Sequence, residues 1–271
     1  MTYALDSAIQ LNRKNETTFD VPTDPRFWNG DSAFGGWQAA VLGAAVNQQE
    51  PRRSQIVSQQ VMFQAPVRGE VCEVRVELLE SRRTLDFWHA SLIDPDTQRM
   101  MASCQIVMGD RQTTSLSYEK PAGEFRDFES SFPLPAQPGT PTWFEHYDIR
   151  LAKGRPFQKN SAPLSATWVR ERDGRPLDDL ALLSIADTPM PRTFFCADGR
   201  VPASTIALGT HIYGTEEQVR GAKDAPVLLD TRSQVVRDGL VNQENRLFRD
   251  DGLLLAISYQ TGLFRERAPE S

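Results

Sequence analysis

The sequence predicts an α+β fold made twice from one chain of 271 residues. Three features carry that expectation. Each half holds one strongly apolar helical stretch. Strand-like segments, separated by turn signals, follow each helix. The halves also close alike: Ala102-Ser103-Cys104-Gln105 follows a turn in the first, and Ile257-Ser258-Tyr259-Gln260 follows one in the second. A repeated unit this large is a duplicated domain rather than a solenoid repeat. The boundaries read as 1–112 for the first unit, 113–140 for a linker and 141–271 for the second.

In the first half, Gly35-Gly36 opens a helix. Trp37, Ala40, Val41, Ala44 and Ala45 then keep the i, i+3, i+4, i+7, i+8 spacing of a helix packed on one face. Extended segments follow at 58–64 and 71–79. In the latter, Cys72, Val74, Val76 and Leu78 alternate with Glu73, Arg75 and Glu77, the pattern of a half-buried strand. Strands at 85–93 and 100–108 flank the turn Asp94-Pro95-Asp96. The second of these sets Ala102, Cys104, Ile106 and Met108 against Ser103, Gln105 and Val107. Phe87 and Trp88 are expected to fill the core.

From 111 to 140, serines, threonines and Pro121, Pro133, Pro135 and Pro138 break every periodicity, which reads as a linker. The second half resumes with a strand at 164–172 that ends at Asp173-Gly174. A helix starts near Pro176-Leu177-Asp178-Asp179, with an Asp suited to capping it. Strands are expected at 204–213, 227–237, 240–249 and 253–264.

Composition narrows the function classes. Apolar residues make up 39% and charged residues 24%, a soluble globular balance with enough core material to fold alone. A net charge of -6 leaves no basic footprint for nucleic acid. No run approaches the roughly 18 apolar residues of a membrane span, and Asp6, Asn12, Arg13 and Lys14 rule out a signal peptide at the start. Cys72, Cys104 and Cys196 are odd in number and lack paired spacing, which suits a reducing compartment. A soluble, cytoplasmic protein without a membrane or nucleic-acid partner is expected.

Motifs narrow them further. The chain has no G-x-S-x-G elbow, no G-x-G-x-x-G after a strand and no G-x-x-x-x-G-K-[ST] loop. His89, His146 and His211 lie far apart, which supports neither a metal site nor a His-centred triad.

Asp187 does not fit its surroundings. Leu180, Ala181, Leu182, Leu183, Ile185 and Ala186 make the second helix apolar nearly all round, as in a buried helix. Asp187 follows directly, before Thr188-Pro189, at what should be the negative pole of that helix. Burial there costs several kcal/mol or raises the carboxyl pKa, unless the residue sits at an exposed end and bonds a turn N–H. Thr205 and Gln260 are polar residues inside apolar strands; each alone could be an ordinary solvent-facing residue. Together, a carboxylate, a hydroxyl and a carboxamide can hold and deprotonate a water without cofactor or covalent nucleophile.

At these residues the chain resembles the double-hotdog acyl-CoA thioesterases of the type II thioesterase-like superfamily. The resemblance rests on 34–40 (FGGWQAA), 177–187, 205–212 and 251–260, and spans nearly the whole chain outside the linker. It implies a tandem hotdog, each unit a long helix wrapped by an antiparallel sheet. It also implies hydrolysis of an acyl-CoA to free acid and CoA, no cofactor, no metal and a homodimer, whose exposed sheet edges would seek partners. Carried over position by position, the water-holding residues are Asp187, Thr205 and Gln260, with Asp187 as general base. The acyl chain would lie in an apolar tunnel beside the helix. Backbone N–H groups near Gly35, Gly36 and Trp37 would stabilise the oxyanion, although Gly35-Gly36 also suits tight packing of a helix start. Arg52, Arg53, Arg82 and Arg83 are the candidate cations for CoA, although paired loop arginines are commonly just solvated. The sequence departs from the family pattern at Ala207, where an acidic residue is common, and around Gln59-Gln60, where a His is common.

Two rival readings stand beside hydrolysis. A hotdog hydratase or dehydratase needs an Asp with a His five positions later, and no such pair occurs. A non-catalytic acyl-CoA or lipid-binding protein needs none of the three polar residues, and their joint retention favours hydrolysis.

Overall fold

The computed structural model describes residues 2–50 and 53–265. The first unit holds strand β1 (Thr18–Pro22), helix α1 (Gly35–Asn47) and strands β2 (Gln55–Phe63), β3 (Val71–Ser81), β4 (Leu85–Ile93) and β5 (Met100–Gly109). Strand β6 (Tyr147–Lys153) precedes the second set. That set is β7 (Ser165–Glu171), helix α2 (Asp179–Ile185), β8 (Ala203–Ile212), β9 (Val227–Arg232), β10 (Leu240–Phe248) and β11 (Leu254–Phe264). All pair antiparallel in one sheet, ordered β1-β3-β4-β5-β2-β8-β11-β10-β9-β7-β6.

Read outward from the central β2–β8 pair, the halves match strand for strand: β2-β5-β4-β3-β1 on one side and β8-β11-β10-β9-β7 on the other. Each central strand even carries a register shift near one end, at Ile56/Ser58 and at Thr205/Ala207. The fold is the tandem hotdog, an α+β duplication.

The sheet wraps both helices, which explains the burial of α1. Every residue from Gly36 to Val46 is buried, so α1 is covered all round rather than on one face. Its alanines and glycines let α2 lie directly against it: a side chain on Gly36 would overlap the Ser184 carbonyl, and one on Gly43 would meet Leu183 and Leu180. These contacts run in opposite directions along the two helices, so the start of α1 meets the end of α2. Tyr147 on β6 reaches the same interface, its hydroxyl 2.8 Å from Ser184 Oγ.

Helix α2 is only seven residues long. Asp178 caps its start by accepting from the Ala181 N–H at 2.8 Å, as its position suggests, and Arg175 grips Asp178 at 2.9 and 2.7 Å. Its end is set by Thr188-Pro189: Thr188 returns its hydroxyl to the Ile185 carbonyl at 2.7 Å, and the residue before a proline avoids helical backbone.

The strand expectations hold to within a few residues, except that the segment expected at 227–237 splits into β9 and a short piece at Val236–Arg237. Strands β1 and β6 have no counterpart in the sequence reading. Each offers two or three inward apolar residues, Phe19 and Val21 or Tyr147, Ile149 and Leu151, too few for a periodicity to stand out. The proline-rich stretch also does more than tether. Phe125 and Phe128 pack with Trp168, Leu228 and Phe248 on the outer face of the second unit, and Trp168 Nε1 donates to the Arg126 carbonyl at 2.8 Å.

Candidate functional site

The site grows from the start of α1. Phe34 precedes the helix and supplies no side-chain cap, so the first N–H groups of α1 need partners from elsewhere. Phe34 is held by Trp143, their rings stacked at 4.3 Å and 11°. Gly35 and Gly36 then clear space above the helix start. A Cβ on Gly35 would sit 2.5 Å from Asp187 Oδ2 and 3.2 Å from Phe63 Cζ. The Asp187 carboxylate occupies that space and accepts from the Gly36 N–H.

The electrostatic expectation for Asp187 is therefore corrected. Asp187 follows its own helix at the negative pole, but its carboxylate reaches the positive pole of α1, where an anion is favoured. Antiparallel helix packing produces this reversal, and sequence proximity could not show it. Burial still dominates: it pushes the carboxyl from its ordinary 3.8 up to about 7, against the bonds from Gly36 and Gln260 that favour the anion. Asp187 is half-buried as a residue, and its carboxyl is the buried part.

Gln260 on β11 donates from Nε2 to Asp187 Oδ1 at 2.6 Å. Its Oε1 accepts from Gln243 Nε2 at 2.9 Å, across a direct β10–β11 pair. Gln243 Oε1 in turn accepts from Arg192 Nε at 3.0 Å. At the next inward-facing pair of the same strands, two residues along, Asn245 donates to Ser258 Oγ at 2.8 Å and to the Ala186 carbonyl at 3.4 Å, which fixes the backbone just before Asp187. Gln243, Asn245 and Arg192 escaped the sequence reading. A signal existed for Gln243 and Asn245: they share the inward phase of β10 with Val241 and Leu247, where a polar residue calls for a buried partner.

Thr205 pairs with Gly262, two positions from Gln260 on β11, and so shares the inward face with it. It is half-buried, and among the described residues no hydrogen bond joins it to Asp187 or Gln260. The sequence-derived residues Asp187, Gln260, Gly35 and Gly36 thus meet directly, and Thr205 stands one row away. The Trp37 side chain belongs to the core, its Nε1 donating to the Ala8 carbonyl at 2.8 Å. Ala207 faces outward opposite Met62 and Thr261. Gln59 is buried with its amide on the Ala39 carbonyl at 3.0 Å, and Gln60 meets His211 at 3.2 Å on the outer face.

The candidate cations for CoA lie elsewhere. Arg53 precedes β2, whose first residues Gln55 and Ile56 bond Asp179 at the start of α2, the end opposite Asp187. Its guanidinium faces Asp86 at 3.3 Å and Asp110 at 3.5 Å and donates to the Arg82 carbonyl at 2.6 Å. The Arg82 guanidinium lies 5.5 Å from the Phe87 ring centre, Arg83 is exposed, and Arg52 lies outside the described residues. Two surface cavities also sit away from Asp187. One of about 140 Å³ is bordered by Asp178, Asp179 and Glu216, and one of about 430 Å³ by Ile9, Leu11 and Ala44. Trp88 is buried and Phe87 half-buried. No group of three or more acidic, His or Cys side chains suited to a metal occurs among the described residues.

A carboxylate that changes charge near pH 7 and is fixed by two donors can take a proton from water at neutral pH. Comparison with known proteins narrows the class of reaction. Residues 24–109 match the acyl-CoA thioesterase N-terminal domain family and 124–264 the acyl-CoA thioesterase C-terminal domain family. No curated protein is detectably similar in sequence. Among solved structures, a conserved hot dog protein of unknown function from Alicyclobacillus acidocaldarius superposes with TM-score 0.93 at 22% identity, over 99% of this chain and 100% of that one. The acyl-CoA thioesterase II TesB2 of Mycobacterium marinum does so with TM-score 0.76 at 16% identity, over 98% and 100%. At such identities the structures speak for the fold, while the two domain matches, in order and together spanning most of the sequence, speak for descent. The chain belongs to the double-hotdog acyl-CoA thioesterase family.

Proposed function

We propose that the protein hydrolyses acyl-CoA thioesters to free acid and CoA, with Asp187 as general base. The carrying observation is the Asp187 carboxylate, seated on the start of α1 and bonded by Gly36 and by Gln260 at 2.6 Å. In this reading a water held by Asp187, Gln260 and Thr205 gives its proton to Asp187 while its oxygen attacks the thioester carbonyl carbon. The oxyanion collects at the remaining N–H groups of the helix start, those of Gly35 and Trp37, since the Gly36 N–H already serves the carboxylate. The C–S bond then breaks, and Asp187 returns its proton to the departing sulfur. A positioned base contributes on the order of 10²–10⁴-fold. No step calls for a cofactor.

The acyl chain would run past Phe63, which borders Gly35. Arg82 and Arg83 are the less committed of the described candidates for the CoA phosphates. A cytoplasmic location belongs to the same reading: all three cysteines are free thiols, the state that a reducing compartment maintains. No helix among the described residues is long and apolar enough to cross a membrane. A homodimer would form through sheet faces, because the edges end in two-residue strands at Asn12–Arg13 and Phe132–Pro133.

The test is release of free thiol from acyl-CoAs of graded chain length, followed with a thiol reagent. Hydrolysis that disappears in Asp187→Asn supports the reading. Undiminished turnover in Asp187→Asn removes the base, and tight binding without turnover across the panel favours a non-catalytic acyl-CoA-binding protein.

A further inference from the structure

Arg192 is 1% exposed, and among the described residues no carboxylate lies within ion-pair distance of it. A buried guanidinium without a counter-charge is costly to keep. Its donors instead go to neutral acceptors: Nε to Gln243 Oε1 at 3.0 Å, Nη1 to Ser165 Oγ at 2.9 Å and Nη2 to the Met190 carbonyl at 2.6 Å. The Phe195 ring lies against it at 4.3 Å.

Its consequence runs along the chain Arg192–Gln243–Gln260–Asp187. A carboxamide can present either its oxygen or its NH₂ to a neighbour, so two glutamines in series have no polarity of their own. Arginine has only donors and does not deprotonate in proteins. It therefore turns Gln243 oxygen-first, which leaves Gln243 NH₂ for the Gln260 oxygen and Gln260 NH₂ for the carboxylate. With the opposite polarity, a carboxamide oxygen would face the Asp187 oxygens.

Resting on the general-base reading above, we infer that Arg192 and Gln243 are positioning residues that fix the amide polarity of Gln260, and so the hydrogen bond that holds the ionised form of Asp187. Among the described residues, the other donor to the Asp187 carboxylate is the Gly36 N–H from α1, the Phe63 ring from β2 lies beside Gly35, and neither carries charge.

The decisive variant is Gln243→Glu, which keeps shape and gives Arg192 a carboxylate partner. Its oxygens can only accept, so Gln260 must turn its NH₂ toward residue 243 and its oxygen toward Asp187. Gln243→Met, which adds no charge, reports loss of the lock alone. Two readouts apply to the full chain: the pH dependence of kcat/KM and a ¹³C NMR titration of the Asp187 carboxyl without substrate. In Gln243→Glu we expect unchanged or higher thermal stability, an acid limb about one pH unit higher, and kcat/KM at pH 7 down about five- to tenfold. Gln243→Met should move the limb in the same direction by less.

A wild-type acid limb in Gln243→Glu overturns the inference, as does activity that falls only in step with stability. If Gln243→Glu does not fold, Gln243→Met decides by the same readouts. Should Asp187→Asn retain full activity, the base reading fails separately, and the NMR titration still tests the polarity lock.

Discussion

Replacing Gly35 with alanine separates the position of Asp187 from the stability of the protein. The new Cβ would lie 2.5 Å from Asp187 Oδ2 and 3.2 Å from Phe63 Cζ, whereas ordinary contact starts at 3.4 Å. The carboxylate oxygen must therefore retreat by about 0.9 Å, the difference between 3.4 and 2.5 Å. That motion strains the 2.6 Å bond from Gln260 and the bond from Gly36. Misplacing a reacting group by roughly 1 Å costs on the order of 10²-fold, or about 2.7 kcal/mol of barrier. The backbone itself accepts alanine, because Gly35 is helical and not left-handed. A helix gains up to about 1 kcal/mol when alanine replaces glycine. Gly35→Ala should thus keep or slightly raise Tm while kcat/KM for an acyl-CoA falls about a hundredfold, measured by thiol release and thermal melting on one preparation. Activity within threefold of wild type at unchanged Tm would refute the placement of the base at the helix start.

Other perturbations give contrasting signatures. Gly36→Ala meets the Ser184 backbone carbonyl instead of a movable side-chain tip, so it should lower stability by about 1–3 kcal/mol in chemical denaturation. In the wild type, kcat/KM should rise through a half-maximum near pH 7, because only ionised Asp187 accepts the proton and its carboxyl is pushed up to about 7. The same displacement has a stability consequence. A carboxyl raised from 3.8 to about 7 on folding holds its proton more tightly in the folded chain, so stability falls as pH rises across that interval. Asp187→Asn removes this loss, and its advantage in unfolding free energy, read by denaturant titration, should be greatest above pH 7, at most about 4 kcal/mol, and vanish near pH 4. Tyr147→Phe should cost about 1–2 kcal/mol in a denaturant titration, since it strands the buried Ser184 hydroxyl bonded at 2.8 Å.

The legible part of the fold was the part written in local pattern. Alternation marked β3 and β5, the turn Asp94-Pro95-Asp96 marked the end of β4, the apolar run 180–186 marked α2, and Asp178 marked its start. Strands β1 and β6 hold too few inward residues to register as patterns, and their places come from pairing with β3 and β7. For the site, a carboxylate after an apolar helix and a glutamine within a strand were conspicuous alone. Arg192 was not, because a single arginine among prolines and aromatics looks the same whether it is buried or solvated.

Residue type and order determined the duplication, the helix limits and the identity of Asp187, Thr205 and Gln260 as candidates, because secondary structure and family descent are written in neighbouring residues. Tertiary packing decided the electrostatics. It set the end of α2 against the start of α1, turning an unfavourable pole into a favourable one, and it lined up Arg192, Gln243 and Gln260 behind the carboxylate. Field and hydrogen-bond direction depend on distance in space, and Gly36 and Asp187 become neighbours only when two helices far apart in the chain pack in opposite directions.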